Sequence, residues 1–394
     1  MEIDQKNKEK IKELLTRGVD EVIDFKDLEN KLLSGKKLRI KLGIDPTSPN
    51  IHLGRSIPLL KLRDFEELGH QIVFIIGDFT GTIGDTSDKN AERPMLEEAV
   101  IKENIKRYIE QAGKIINIKK CEVYYNSEWL AKLEYREICR QADIFSINEF
   151  ISRDNIKRRL EAGSRVSLRE ILYPMMQGYD SVAIKADVEI GGTDQRFNLL
   201  SGREMQRAYK QEPQNIITNP LIEGLDGRKM SSSWGNTVNL LDAPSEMFGK
   251  IMSLQDEFII KYFVLLTRIS EVKIKEYQKA LETGANPKDY KILLAKEIVK
   301  IYHSEQDAKE QEENFIKVFS KKEIPDEIEE LKPAAYNIVA ILIEAKFATS
   351  KTDAKRVIEQ GGVKVDKKVI KDPEFCVASG SIIQKGKIKF LKVI

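Results

Sequence analysis

His52, one of only three histidines, stands in the stretch IDPTSPNIHLGRS, residues 44–56. The order is an apolar strand end, then Asp45-Pro46-Thr47, then His52-Leu53-Gly54 opening an apolar helical run. That order sets His52 and Thr47 over the unpaired N–H groups and positive end of the helix. Such a place binds phosphate. Both side chains can donate a hydrogen bond to a phosphate oxygen, and Gly54 removes bulk where a base or ribose could lie against backbone. By itself HLGR is a weak signal, because two fixed positions in four recur by chance.

Three further stretches carry polar groups at telling spacings. RKMSSS (228–233) lies in EGLDGRKMSSSWGN, rich in Gly, Ser and charge, which predicts an exposed, mobile loop bearing Lys229. In YPMMQGYD (173–180), Tyr173, Gln177 and Asp180 fall at i, i+4 and i+7 and so share one helix face. A face with Tyr, Gln and Asp beside Met175 and Met176 is not a plain core stripe. In EIGGTDQRFN (189–198), Gly191 and Gly192 allow close approach at a strand end, and Thr193 or Asp194 suits a helix N-cap.

The elements that must position these groups follow from periodicity. KLRIKLGI (37–44) and QIVFIIG (71–77) read as buried strands, with a helix between them ending at Gly69. Strand, helix, strand at this spacing is a parallel unit with a right-handed crossover. From about residue 95 to 165 the pattern is helical throughout. DVEIGG (187–192) is a further strand leading into a helix near Thr193, and NIITNPLI (215–222) reads as the last strand of the sheet.

Composition narrows the class. The chain has 394 residues, 41% hydrophobic and 32% charged, and no apolar run approaches the ~18 residues of a membrane-spanning helix. A cytoplasmic protein of two or three domains is expected, with no signal peptide in MEIDQKNKEKIKELL. Cys121, Cys139 and Cys376 are widely spaced and lack a metal-ligand pattern, so neither disulfides nor a bound metal is expected. Net charge is only +2, yet residues 335–394 hold twelve Lys and Arg against six Asp and Glu. The tail is the basic part, and a polyanion is its natural partner.

HLGR and KMSS in this order, the first after a strand and Asp-Pro-Thr, resemble the HIGH and KMSKS signatures of class I aminoacyl-tRNA synthetases. YPMMQGYD and EIGGTDQRFN are similar to the tyrosine-binding motifs of bacterial tyrosyl-tRNA synthetases, and the likeness runs from about residue 36 through the tail. The resemblance implies an α/β fold: a Rossmann-like parallel-sheet catalytic domain over 36–240 with a helical insertion at about 95–165. A helical segment, 1–35, precedes it. An α-helical domain that approaches the anticodon stem (241–320), a linker (321–334) and a small α+β RNA-binding domain (335–394) follow.

The implied reaction is attack of the tyrosine carboxylate on the α-phosphate of ATP, then transfer of tyrosine to the terminal ribose of tRNA(Tyr). ATP would enter with Mg²⁺ as a substrate complex, with no tightly bound cofactor. By resemblance, Tyr173, Gln177 and Asp85 (in GDFTGTIGDTS) hold the α-ammonium, Asp180 accepts the phenol hydrogen bond, and Gln195 orients the reacting carboxylate. Asp194 takes ribose hydroxyls, while Gly43, Asp45, Gly54, Arg55, Gly192, Met230, Ser231 and Ser232 are expected around ATP. Thr47, His52 and Lys229 would stabilise phosphate charge, the Lys229 loop closing as a lid. An Asp buried against an aromatic ring favours a ligand that brings a donor, because phenylalanine leaves the carboxylate unpaired.

Three positions depart from the family pattern. Arg55 stands for the second His of HIGH and Ser232 for the second Lys of KMSKS, one cation gained at the helix and one lost from the loop. Lys41 stands where many members carry a tyrosine that also touches the substrate hydroxyl. In the tail, SKTDAKRVIEQGG puts Lys351, Lys355 and Arg356 on a helix ended by Gly361 and Gly362, resembling a small RNA-binding domain first named from a ribosomal small-subunit protein. Cations so presented suit backbone contacts on folded RNA. The resemblance also implies a homodimer, and neither membrane nor DNA as partner. Two alternatives stand beside this reading: a tryptophanyl relative, and a non-catalytic tRNA- or intron-binding paralogue supported only by Arg55 and Ser232.

Overall fold

Six strands make the first sheet: β1 (Glu21–Ile23), β2 (Arg39–Ile44), β3 (Gln71–Ile76), β4 (Glu122–Tyr125), β5 (Val188–Gly192) and β6 (Asn215–Asn219). Their order across the sheet is β1-β6-β5-β2-β3-β4. Strands β2 to β6 run parallel, and β1 pairs antiparallel with β6. The structure, a computed structural model, describes residues 5–86, 95–320, 328–386 and 389–394. The chain divides into two units, Met1–Ser304 and Glu305–Ile394.

The apolar run of β3 is buried at every residue but Gln71, as a central strand covered on both faces must be. Helix Leu53–Glu67 crosses over between β2 and β3 and buries Leu53, Ile57, Leu59, Leu60, Leu62 and Phe65. Chain order reverses between β2 and β5, so the carboxyl ends of these two strands flank the crevice where parallel sheets bind ligands.

Two elements differ from expectation. The segment expected to be helical over about 95–165 also supplies β4, which pairs parallel with β3 at the sheet edge. EVYY is only four residues long and half-buried at each of them, so its period was submerged by the helices around it. Residues 1–35 likewise hold more than helix: β1 lies between helices Gln5–Thr16 and Phe25–Leu33.

In the second unit, β7 (Glu329–Leu331), β8 (Val363–Val365), β9 (Lys368–Ile370), β10 (Ile382–Lys385) and β11 (Lys389–Val393) form a sheet in the order β7-β11-β10-β8-β9. Helices Ile338–Glu344 and Lys351–Glu359 contribute Ile338, Ile341, Leu342, Ala354 and Ile358 to a core completed by Val363, Ile383 and Leu391. Asp366 and Lys367 both have positive φ, 48° and 68°, the tight two-residue turn that a β8–β9 hairpin requires. Of the expected linker 321–334, residues 321–327 lie outside the described residues, and Glu329–Leu331 is a strand paired with β11.

Candidate active site

A cleft of about 930 Å³ opens beyond the carboxyl ends of β2, β3 and β5. Every residue expected at the catalytic, ATP and tyrosine positions lines it. Gly43 and Asp45 come from the end of β2, Gly192, Asp194 and Gln195 from the end of β5, and Tyr173, Gln177 and Asp180 from one face of helix Leu168–Ile184. Ser167 and Glu170 start that helix with a capping box, which fixes where its inward face begins.

At the helix N-terminus His52 has an extended backbone (φ −95°) and is 7% exposed. Its ring lies over Gly54, where an added Cβ would stand 3.1 Å from it. Gly54 is thus needed by the His52 ring as well as by any ligand. Arg55 donates to Thr47 Oγ1 at 3.4 Å and to the hydroxyl of Tyr108. The cation substituted into the HIGH position is therefore held from two sides.

The loop carrying Lys229 differs from expectation. It is not simply exposed, since Met230, Ser231 and Asn236 are buried. The Met230 N–H donates to Ile222 O at 2.8 Å, and the Gly54 N–H reaches Met230 Sδ at 3.3 Å. Asn236 organises the turn: its amide donates to Asp226 Oδ1 (2.7 Å) and Lys229 O (3.1 Å) and accepts from the Ser231 N–H (2.9 Å). Lys229 Nζ lies 2.9 Å from Asp194 Oδ2. Ser232 is exposed at the cleft rim, opening the short turn Ser232–Trp234.

Across the cleft, Tyr173 donates to Asp45 Oδ2 at 2.8 Å and Thr80 to Asp45 Oδ1 at 2.7 Å. Burial pushes the Tyr173 phenol well up, and the neighbouring Asp45 and Asp85 add to this. Gln195 donates to Asp85 Oδ2 at 2.7 Å and accepts from Asn198 Nδ2 at 3.0 Å. Gly192 leaves room for Asp194, whose Oδ1 would lie 2.5 Å from an added Cβ.

Asp180 is 3% exposed and lines the pocket. Trp129 Nε1 donates to its Oδ1 at 2.8 Å and Asn126 Nδ2 to its Oδ2 at 3.3 Å. Burial pushes its carboxyl up to about 7, against the lowering effects of Lys41 and of these two donors. Sequence reading missed Trp129 and Asn126 because β4, which delivers them, was submerged in a helical pattern. Lys41, at the position where many family members carry a tyrosine, is fully buried and paired with Glu189.

In the second unit Lys351, Lys355 and Arg356 lie exposed on helix Lys351–Glu359. Ser350 caps the helix by accepting from the Asp353 N–H, and Arg356 donates to Asp353 Oδ1 at 2.7 Å. Lys355 stands 3.9 Å from Glu374.

Comparison with known proteins agrees with this geometry. The family model described as tRNA synthetases class I (W and Y) matches residues 33–320, and that of the S4 domain matches residues 338–383. A tyrosine–tRNA ligase of Thermotoga maritima is 46% identical over 385 residues, 96% of each chain. One of Carboxydothermus hydrogenoformans is 44% identical over 398 residues, 97% of each chain. Among solved structures, a C-terminally truncated mitochondrial tyrosyl-tRNA synthetase of Aspergillus nidulans shares the fold with a TM-score of 0.67. It covers 80% of this chain and 95% of its own at 21% identity. By its sequence match over most of its length, the chain belongs to the class I tRNA synthetase family (W and Y) and carries an S4 domain.

Proposed function

We propose that this chain is a tyrosine–tRNA ligase, which activates L-tyrosine with ATP and transfers it to the 3′-terminal adenosine of tRNA(Tyr). The observation that carries the choice of amino acid is the buried carboxylate of Asp180 in the cleft wall, fixed by Trp129 and Asn126. An ionised carboxylate offers about four acceptor sites, two of which those donors use. The rest suit a phenol hydroxyl.

Tyr173, Gln177 and Asp85 hold the α-ammonium, and Gln195, on Asp85, orients the tyrosine carboxylate toward the α-phosphate. That carboxylate is itself the nucleophile, so the protein supplies position and charge stabilisation. His52, Thr47 and Lys229 act on the phosphates and Asp194 on the ribose. Gly43, Asp45, Gly54, Arg55, Gly192, Met230, Ser231 and Ser232 shape the rest of the ATP site. ATP brings Mg²⁺ with it, and no tightly bound cofactor is needed.

Residues 335–394, through Lys351, Lys355 and Arg356, bind tRNA, as does the helical region 241–320. Association as a homodimer is part of the same reading, as the resemblance to tyrosyl-tRNA synthetases implies. Among the described residues no helix is long and apolar enough to cross a membrane, which supports a cytoplasmic enzyme. The test is tyrosine-dependent exchange of labelled pyrophosphate into ATP, followed by charging of tRNA. Exchange with tryptophan and not tyrosine would overturn the reading.

A further inference from the structure

Beneath the cleft lies an ion pair that none of the roles above uses. Lys41 and Glu189 are register partners on the adjacent strands β2 and β5, so their side chains leave the same face of the sheet. Their side chains are 0% and 1% exposed, Nζ to Oε1 is 2.8 Å, and neither residue lines the cleft. Lys41 Nζ also donates to Ser181 Oγ at 2.8 Å and to the backbone carbonyl of Gln177 at 2.9 Å. Glu189 Oε1 accepts from the Gln177 side-chain amide at 3.2 Å, and Oε2 accepts from Ser181 at 3.1 Å and from Gln214. Gly202 makes room for this cluster, because an added Cβ would stand 2.6 Å from Gln214 Nε2 and 3.0 Å from Ser181 Oγ.

A buried ion pair adds little net stability over an apolar pair of the same volume. This one holds both ends of one pocket residue: Lys41 takes the carbonyl of Gln177 and Glu189 takes its amide. Asp180 lies three residues further along the same helix. The Lys41 charge favours its ionised form and Glu189 opposes it, the Lys41 effect being the larger.

We propose that Lys41 and Glu189 are positioning residues for the amino-acid pocket, pinning Gln177 by its carbonyl and its side-chain amide without touching substrate themselves. The inference rests on the tyrosine reading of the cleft. It makes position 41 act through the pocket wall rather than from within the pocket.

The test is pyrophosphate exchange with tyrosine or ATP as the varied substrate, on wild type, Glu189→Gln, Lys41→Met and the double variant, with a thermal melt of each. The double variant decides, because it leaves no lone buried charge. It is expected to melt as wild type does and to keep the KM for ATP, while the KM for tyrosine rises about tenfold, the loss of one hydrogen bond to a charged group. A folded double variant with the wild-type KM for tyrosine would overturn the proposal. Wild type inactive with tyrosine would overturn the reading of the cleft itself, whatever the variants do.

Discussion

The ammonium of Lys229 lies 2.9 Å from the carboxylate of Asp194, and both residues line the cleft. The two groups are proposed for opposite parts of one ATP, phosphates and ribose, so binding of the nucleotide must part them. Lys229→Ala should lower the rate of adenylate formation by about 10²- to 10³-fold, the usual effect of losing one group that stabilises developing charge. Tyrosine affinity, read by equilibrium dialysis, should not change. A matching loss of tyrosine binding would remove Lys229 from the phosphate role.

Asp180 gives the account a pH dependence. Burial raises its carboxyl from 3.8 to about 7. Between those values the native state binds a proton that the unfolded chain does not, so this group's contribution to stability falls as pH rises through about 7. Function has the opposite slope, because the phenol needs the ionised acceptor. The KM for tyrosine should fall from about pH 6 to about pH 8 and then level. Asp180→Asn should flatten the profile, and an unchanged slope in that variant would assign it to another group.

Gly77 tests the scaffold behind Tyr173. A Cβ there would stand 2.0 Å from Asp45 Oδ1 and 2.4 Å from Thr80 Oγ1. Gly77→Ala must displace both and break the Tyr173–Asp45 bond. A loss of about 1–3 kcal/mol in urea unfolding is expected, as for other overpacked sites, with a raised KM for tyrosine. A variant as stable and active as wild type would show that Asp45 is free to move.

The tail should act on RNA alone. Replacing Lys351, Lys355 and Arg356 by alanine should raise the KM for tRNA and weaken its salt dependence, the slope falling by about 0.7–0.9 for each phosphate no longer neutralised. Amino-acid activation should stay as it was. Charging that is unaffected at moderate salt would take these three cations out of the interface.

The site was legible in the sequence wherever polar residues recur at the period of one element. Tyr173, Gln177 and Asp180 could be set on one face because 3.6-residue periodicity needs no tertiary knowledge, and the structure turns all three into the cleft. Strands β2, β3 and β5 announced themselves by apolar runs. What stayed hidden depends on contacts distant in sequence. Trp129 and Asn126 reach Asp180 only because β4 joins the sheet beside β3. Lys41 could be noticed as unusual, but its partner follows from the β2–β5 register, which the sequence does not state. The Lys229 loop looked exposed because Gly and Ser dominate it, whereas Asn236 folds it inward through its side-chain amide.

The central claim is that the cleft activates tyrosine and that Asp180 selects it. Pyrophosphate exchange should be measured with tyrosine, tryptophan and phenylalanine on wild type and Asp180→Asn. Exchange by wild type with tyrosine alone, weakened in the variant, is the predicted result. Exchange with no amino acid, or equal exchange with tyrosine and phenylalanine, would contradict the account.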